Sequence, residues 1–280
     1  MVRRFGPEVE AWCDDVPRLA GELAARWELR DLEPVPAGGT SRVVACRIAD
    51  GGRAFLKLTP ERALAVDEAA ALRAWEDAGR APRVLAFDEP TRALLLEGIE
   101  PGTRLTDVPQ VATVQAVAGL MAALHVPAPA GLPALRERVD FVFAITRTRA
   151  RGIPLDADAI ERSYIAARAL ADDHPGTAVL VHGDLHPANV LVGPPGRELV
   201  AIDPRACVGD PAFDLVDWIT DWAAADRWQE RSDALATAAG VAPARLWSWL
   251  RALAVVTAAA RLAGPRPDDE LADRLLALGA

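Results

Sequence analysis

Residues 182–189 read His182-Gly183-Asp184-Leu185-His186-Pro187-Ala188-Asn189, and Ile202-Asp203-Pro204 follows after two short apolar runs. An Asp, four residues, an Asn, and a second Asp beyond an apolar strand is the spacing used for metal-assisted phosphoryl transfer. On a loop, Asp184 is free to meet an incoming hydroxyl, orient it and accept its proton. Asn189 offers a neutral carbonyl oxygen and Asp203 a charged one. That set suits Mg2+, which takes few protein oxygens and fills its remaining positions with phosphate and water. His182 and His186 read as hydrogen-bond partners of the loop backbone rather than as metal ligands.

The rest of the chain agrees with a small-molecule enzyme. It has 280 residues, 51% of them hydrophobic and 25% charged, enough for a sizeable core in one or two domains. Three scattered cysteines (Cys13, Cys46, Cys207) give neither a disulfide framework nor a zinc site, and point to a reducing, cytoplasmic setting. The start, MVRRFGPEVEAWCDDV, has no apolar run behind its arginines, so no secretory leader is expected. The stretch ALAVVTAAARLA at 252–263 is about half of a membrane-spanning length, so no membrane association is expected. A net charge of −9 argues against nucleic acid and for a cationic ligand. Of 31 basic residues a single one is lysine, Lys57, and the chain holds one asparagine, Asn189. Nearly every replaceable Lys has become Arg, so the survivors mark places where Arg or Asp would not serve.

Hydrophobic patterning predicts a helix over 16–27 and strands over 43–49 and 53–59, joined across Asp50-Gly51-Gly52. A helix over 61–77 and an antiparallel pair within 84–98 follow. From 110 onward the pattern is helical, around 110–126, 134–150, 157–171, 211–226, 243–263 and 268–278. The exception is a hairpin formed by 190–192 and 198–202 about Gly193-Pro194-Pro195-Gly196. We therefore expect an α+β, two-lobed molecule, a small β-rich N-terminal nucleotide-binding lobe (1–97) and a larger helical lobe (98–280) for catalysis and the acceptor. A ligand would lie in the cleft between them.

The loop motif, with GDPAFDL at 209–215, resembles the aminoglycoside phosphotransferase family, relatives of choline kinases and more remotely of protein kinases. LAARWELRD, GGRAFLKL, EAAALRAW and LVAIDPRACVGDPAFDL are similar to the streptomycin 6-kinase, or aminoglycoside/hydroxyurea resistance kinase, branch; the likeness covers roughly 15–260. The resemblance implies a protein-kinase-like fold and transfer of the γ-phosphoryl of ATP, with GTP left open, using Mg2+. Asp184 would be catalytic, and Asn189 and Asp203 would hold the metal. Lys57 projects from its strand on the face opposite Ala54, Leu56 and Leu58. There an ammonium would neutralise nucleotide phosphates as a compact point charge. Its expected partner is Glu68, an acid within the apolar stripe of Leu64, Leu72 and Trp75, where a buried counter-charge is required; Asp67 is the weaker candidate. Within Ala37-Gly38-Gly39-Thr40-Ser41, Thr40 and Ser41 are candidates for phosphate contacts. The adenine edge would meet the connector backbone from Glu97 to Ile99.

Only six residues separate Asp203 from Asp210, which leaves no room for a peptide-docking activation segment and favours a small-molecule acceptor. Eight acids stand against three arginines between 203 and 233. On a helix Asp214, Asp217 and Asp221 would share one face with Trp218 and Trp222 alongside, a surface for a polycation such as streptomycin. Asp210-Pro211 reads instead as a structural N-cap before a first-turn proline. The arginines from Arg136 to Arg151 read as a charged helix face. Two other readings stand beside the resistance kinase. One is a kinase for an amino sugar or amino alcohol metabolite; the other is a nucleotide-binding module without turnover. Nothing in the sequence points to a protein partner.

Overall fold

The computed structural model describes residues 1, 5–36, 39–173, 176–221, 224–264 and 267–279. Helix α1 (Val9–Arg26) leads into a five-stranded antiparallel sheet of β1 (Arg30–Val35), β2 (Arg42–Arg47), β3 (Arg53–Leu58), β4 (Val84–Asp88) and β5 (Ala93–Glu97), in the order β1-β2-β3-β5-β4. The β2–β3 hairpin turns where Gly51 adopts a φ of 88°, and it pairs Arg42 with Leu58 through to Arg47 with Arg53. Alternation along β3 sends Ala54, Leu56 and Leu58, all fully buried, toward Val16, Ala20 and Leu23 of α1. Burying each of those leucines contributes roughly 1.5–3 kcal/mol. Helix α1 starts seven residues before the predicted onset, and β1 carries no signal because its residues are mostly exposed on an edge.

Helix α2 (Arg62–Ala74) packs on the other sheet face and joins a second, larger core through Ala65, Ala69, Leu72 and the neighbouring Trp75. That core runs through the remaining helices α3 (Val114–Leu124), α4 (Leu135–Ala150), α5 (Ala157–Asp172), and, beyond residue 216, α6 (Asp217–Thr220), α7 (Trp228–Ala239), α8 (Pro243–Leu262) and α9 (Asp269–Gly279). The large core also holds Trp249, while Trp12 and Trp27 pack against the small one, as expected of packing residues. Two small antiparallel ladders sit among the helices: β6 (Thr103–Arg104) with β8 (Val190–Val192) and β9 (Leu199–Ala201), and β7 (Val179–Val181) with β10 (Cys207–Gly209). The β8–β9 hairpin is the predicted one. The β7–β10 pair carries the beginning of the Asp184 loop and the end of the Asp203 segment on adjacent strands.

One predicted element is corrected. Among the described residues no continuous helix covers 211–226; Pro211–Leu215 is a tight 3₁₀ segment, α6 has only four residues, and a second 3₁₀ turn spans Ala225–Arg227. Asp210 does cap the first segment, its carboxylate accepting from the Ala212 N–H ahead of Pro211. The segment breaks because Asp214 is drawn inward to the Asp184 loop instead of facing out along a helix.

Candidate active site

Lys57 is nearly buried, and its ammonium donates to Glu68 at 2.7 Å and to Asp203 Oδ1 at 2.5 Å. One cation thus ties β3, α2 and the end of the β8–β9 hairpin together. Burial works to lower the Lys57 pKa, but Glu68 and Asp203 overcome it and hold the ammonium charged. Burial likewise pushes the Asp203 carboxyl up, and the opposing pull of Lys57 and Arg205 leaves it at about 2, so it is ionised. Asp203 has a φ of 57°, a left-handed conformation that a non-glycine residue rarely adopts and that is concentrated at functional sites.

The Asp184 loop is clamped from several sides. The backbone N–H groups of His182 and Gly183 donate to Asp214 at 2.8 and 2.9 Å, and His125 Nε2 lies 3.2 Å from the same carboxylate. Arg205 N–H donates to the His182 carbonyl at 2.8 Å, joining the loop to the Asp203 segment. Gly183, at φ 77°, permits that approach, since a Cβ there would lie 2.2 Å from the Arg205 oxygen. His182 is fully buried, stacks on Trp75 and is kept neutral by burial. Its Nε2 lies 3.1 Å from the Ile202 carbonyl and its Nδ1 accepts from the Asp184 N–H at 3.3 Å, which assigns the proton to Nε2. It is a backbone partner of the loop, as the sequence implied.

Asn189 donates its amide to the Asp184 carbonyl at 2.9 Å, and Ile202 N–H donates to the Asn189 carbonyl at 2.9 Å. With its nitrogen so engaged, the side-chain oxygen of Asn189 remains for a cation. Lys57 occupies Oδ1 of Asp203, which leaves Oδ2. One amide oxygen and one carboxylate oxygen fit Mg2+, which draws the rest of its shell from phosphate and water. Among the described residues there is no cluster of three or more His, Cys, Asp or Glu side chains of the kind that holds zinc.

A recess of about 110 Å³ opens beside Asp184, lined by Asp217 and Arg138 and walled by apolar groups that include Val142, Phe213 and Leu253. The predicted acidic face does not exist as drawn. Asp214 is buried against the loop amides, and Trp218 is fully buried in the large core, so neither presents itself to an acceptor. Asp221 pairs with Arg261; Trp222 lies outside the described residues. Asp217 keeps its place on the recess. Its carboxyl is pushed up to about 7, by burial first and then by Asp221 and Asp184, against the pull of Arg261 and Arg138. Sequence reasoning missed Arg138, whose guanidinium donates to Gly183 O at 2.6 Å and Asp184 Oδ1 at 2.7 Å.

Among the candidate nucleotide contacts, Thr40 already accepts at its hydroxyl from Arg205 at 2.6 Å, and its carbonyl accepts from Thr59 at 3.1 Å. Ser41 is buried, and Ala37 and Gly38 lie outside the described residues. In the connector, Glu97 N–H donates to Arg83 O and Gly98 N–H to Arg53 O, while the Glu97 carboxylate takes the Arg197 fork at 2.8 and 3.1 Å.

Residues 26–264 match the family of aminoglycoside/hydroxyurea antibiotic resistance kinases. The streptomycin 6-kinase of Streptomyces griseus is 38% identical over 239 residues, 83% of this chain and 74% of that protein. The hydroxyurea phosphotransferase of Kitasatospora aureofaciens is 36% identical over 257 residues, 89% and 74% of the two chains. In structure, the chain is similar to choline kinase LicA from Streptococcus pneumoniae (TM-score 0.64, 15% identity, 94% of this chain and 96% of that one). It is also similar to a thermostable mutant of aminoglycoside phosphotransferase APH(4)-Ia in ternary complex with AMP-PNP and hygromycin B (TM-score 0.63, 18% identity, 94% and 98%). The last two likenesses bear on the fold, a kinase-like one with a β-rich N-terminal part and a helical C-terminal part.

Proposed function

The chain belongs to the aminoglycoside/hydroxyurea antibiotic resistance kinase family and is a phosphotransferase, and from that premise we propose that it moves the γ-phosphoryl of ATP to a hydroxyl of a cationic aminocyclitol, with streptomycin and its 6-hydroxyl the first choice. The observation that carries this reading is the joining of Lys57, Glu68 and Asp203 to a loop that bears Asp184 and Asn189. We place the division of labour at Glu97–Gly98, with nucleotide bound by 1–97 and acceptor by 98–280.

In this scheme Lys57, fixed by Glu68, neutralises the nucleotide phosphates, and Ile99 offers the connector amide to the adenine edge because those of Glu97 and Gly98 are committed. Asn189 and Asp203 hold Mg2+, which when bound draws charge from the transferring phosphoryl group. Asp184 orients the acceptor hydroxyl and takes its proton. Asp217 meets a cationic group of the acceptor in the recess. A phosphate added to such a drug places negative charge where it would meet anionic RNA, and resistance follows.

A second acceptor is hydroxyurea, the acceptor in the name of a relative 36% identical to this chain. Mg2+-dependent ADP release from ATP, measured with streptomycin, other aminoglycosides, hydroxyurea, amino sugars and choline, separates the readings. Streptomycin turnover supports the first and hydroxyurea turnover the second; turnover only with an amino sugar or choline moves the enzyme to metabolism. Asp184→Asn is expected to cost about 10²–10⁴-fold in kcat with nucleotide affinity near that of the wild type; retained turnover in this variant overturns the assignment.

A further inference from the structure

Arg138 stands in the first turn of α4, where the helix dipole favours acids, as Glu137 beside it illustrates. Arg136 in the same turn is exposed, so what sets Arg138 apart is its burial. Its side chain is only 12% exposed, unlike Arg147 on the same helix, which pairs with Glu161 at the surface. The guanidinium lies over the Phe141 ring, 5.4 Å from its centroid. Its Nε donates to the Gly183 carbonyl at 2.6 Å and its Nη2 to Asp184 Oδ1 at 2.7 Å. A planar fork that grips a backbone carbonyl and the next carboxylate together sets both the loop and the rotamer of Asp184.

We propose that Arg138 is the positioning residue of the phosphoryl-transfer site, committing one oxygen of Asp184 and aiming the other at the acceptor. The inference rests on Asp184 being the base. Oδ1 is held by the guanidinium, whereas Oδ2 receives only a long contact, 3.4 Å from the Asn189 amide. Oδ2 is therefore the oxygen left to take the hydroxyl proton. Arg138 also lines the recess together with Asp217. Its charge repels a cationic acceptor group from Asp184 and steers that group to Asp217, so the acceptor enters hydroxyl first toward the base.

The test compares Arg138→Ala, Arg138→Lys, Asp184→Asn and the Arg138→Ala/Asp184→Asn double variant, with streptomycin as acceptor, or hydroxyurea where streptomycin gives no turnover. A misplaced reacting group costs on the order of 100-fold, so Arg138→Ala is expected to lose about that factor in kcat with the KM for ATP unchanged. Arg138→Lys, keeping one donor, falls between, and guanidinium ion at non-denaturing concentration partly restores the alanine variant. The double variant is no slower than Asp184→Asn alone, because the two residues act as a unit. A wild-type kcat in Arg138→Ala, or losses that multiply in the double variant, overturns the positioning role while Asp184→Asn still reports on the base. Turnover of neither acceptor by the wild type, or full activity in Asp184→Asn, overturns the functional reading beneath it.

Discussion

Replacing Asp217 by asparagine keeps the shape of the side chain and removes a charge that burial disfavours. The carboxyl is pushed from 3.8 up to about 7, chiefly by burial. The folded chain therefore retains a proton that the unfolded chain has released, so stability falls as pH rises between these two values and levels off above the upper one. At about 1.36 kcal/mol per unit, the full penalty above pH 7 is about 4 kcal/mol, of which roughly a third is already present at pH 5. Part of the side chain still meets water at the mouth of the recess. Screening there reduces the difference, and Asp217→Asn is expected to stabilise the protein by about 1–2 kcal/mol more at pH 8 than at pH 5. Urea denaturation across that range measures it directly. A companion assay follows the streptomycin KM, which in the wild type should fall as pH rises through 7, when Asp217 becomes a full counter-ion, and stay level in the variant. Equal stabilisation at both pH values, or a loss at pH 8, would refute the reasoning.

Lys57→Met leaves the buried Glu68 carboxyl and Asp203 without their shared cation, which should abolish turnover and cost about 3 kcal/mol of stability; Lys57→Met/Glu68→Gln should recover part of the stability without the turnover. Equal melting temperatures for the single and double variants would show that the pair is not coupled as described. Gly183→Ala drives a Cβ to within 2.2 Å of the Arg205 carbonyl from a left-handed backbone, so the Asp184 loop and Asp203 segment must part. A loss of about 100-fold or more in kcat is expected, and wild-type kinetics in that variant would mean that the approach of the two segments is not needed.

The groups that the sequence offered most readily are those whose chemistry is written locally. Lys57 stands out as the only lysine, Asp184 and Asn189 lie within six residues of each other, and Asp203 follows a hairpin whose turn residues are plain; the structure brings all four together with Glu68. What escaped depends on distant partners. Arg138 resembles its neighbours in sequence and differs from them only because Asp184, 46 residues later, faces it. Asp214 fits a helical face by spacing, but two amides of the Asp184 loop offer it hydrogen bonds that solvent on an exposed face would not match, and the segment tightens accordingly. Strand β1 was invisible because an exposed edge needs no apolar alternation.

The place of Trp75 has a consequence for the birth of the molecule. Its indole donates to the Leu124 carbonyl at 2.6 Å and stacks on His182, and it sits fully buried in a core that extends to Leu275. On the ribosome, then, the first hundred residues emerge with one sheet face matched to α1 and the other to α2, while Trp75 at the end of α2 still lacks Leu124 and His182. At about 5–20 residues per second, the segment bearing His182 follows Trp75 by roughly 5–20 seconds. For that interval Trp75 and the residues of α2 that join the large core meet solvent, and a chaperone has its clearest opportunity to engage the nascent chain.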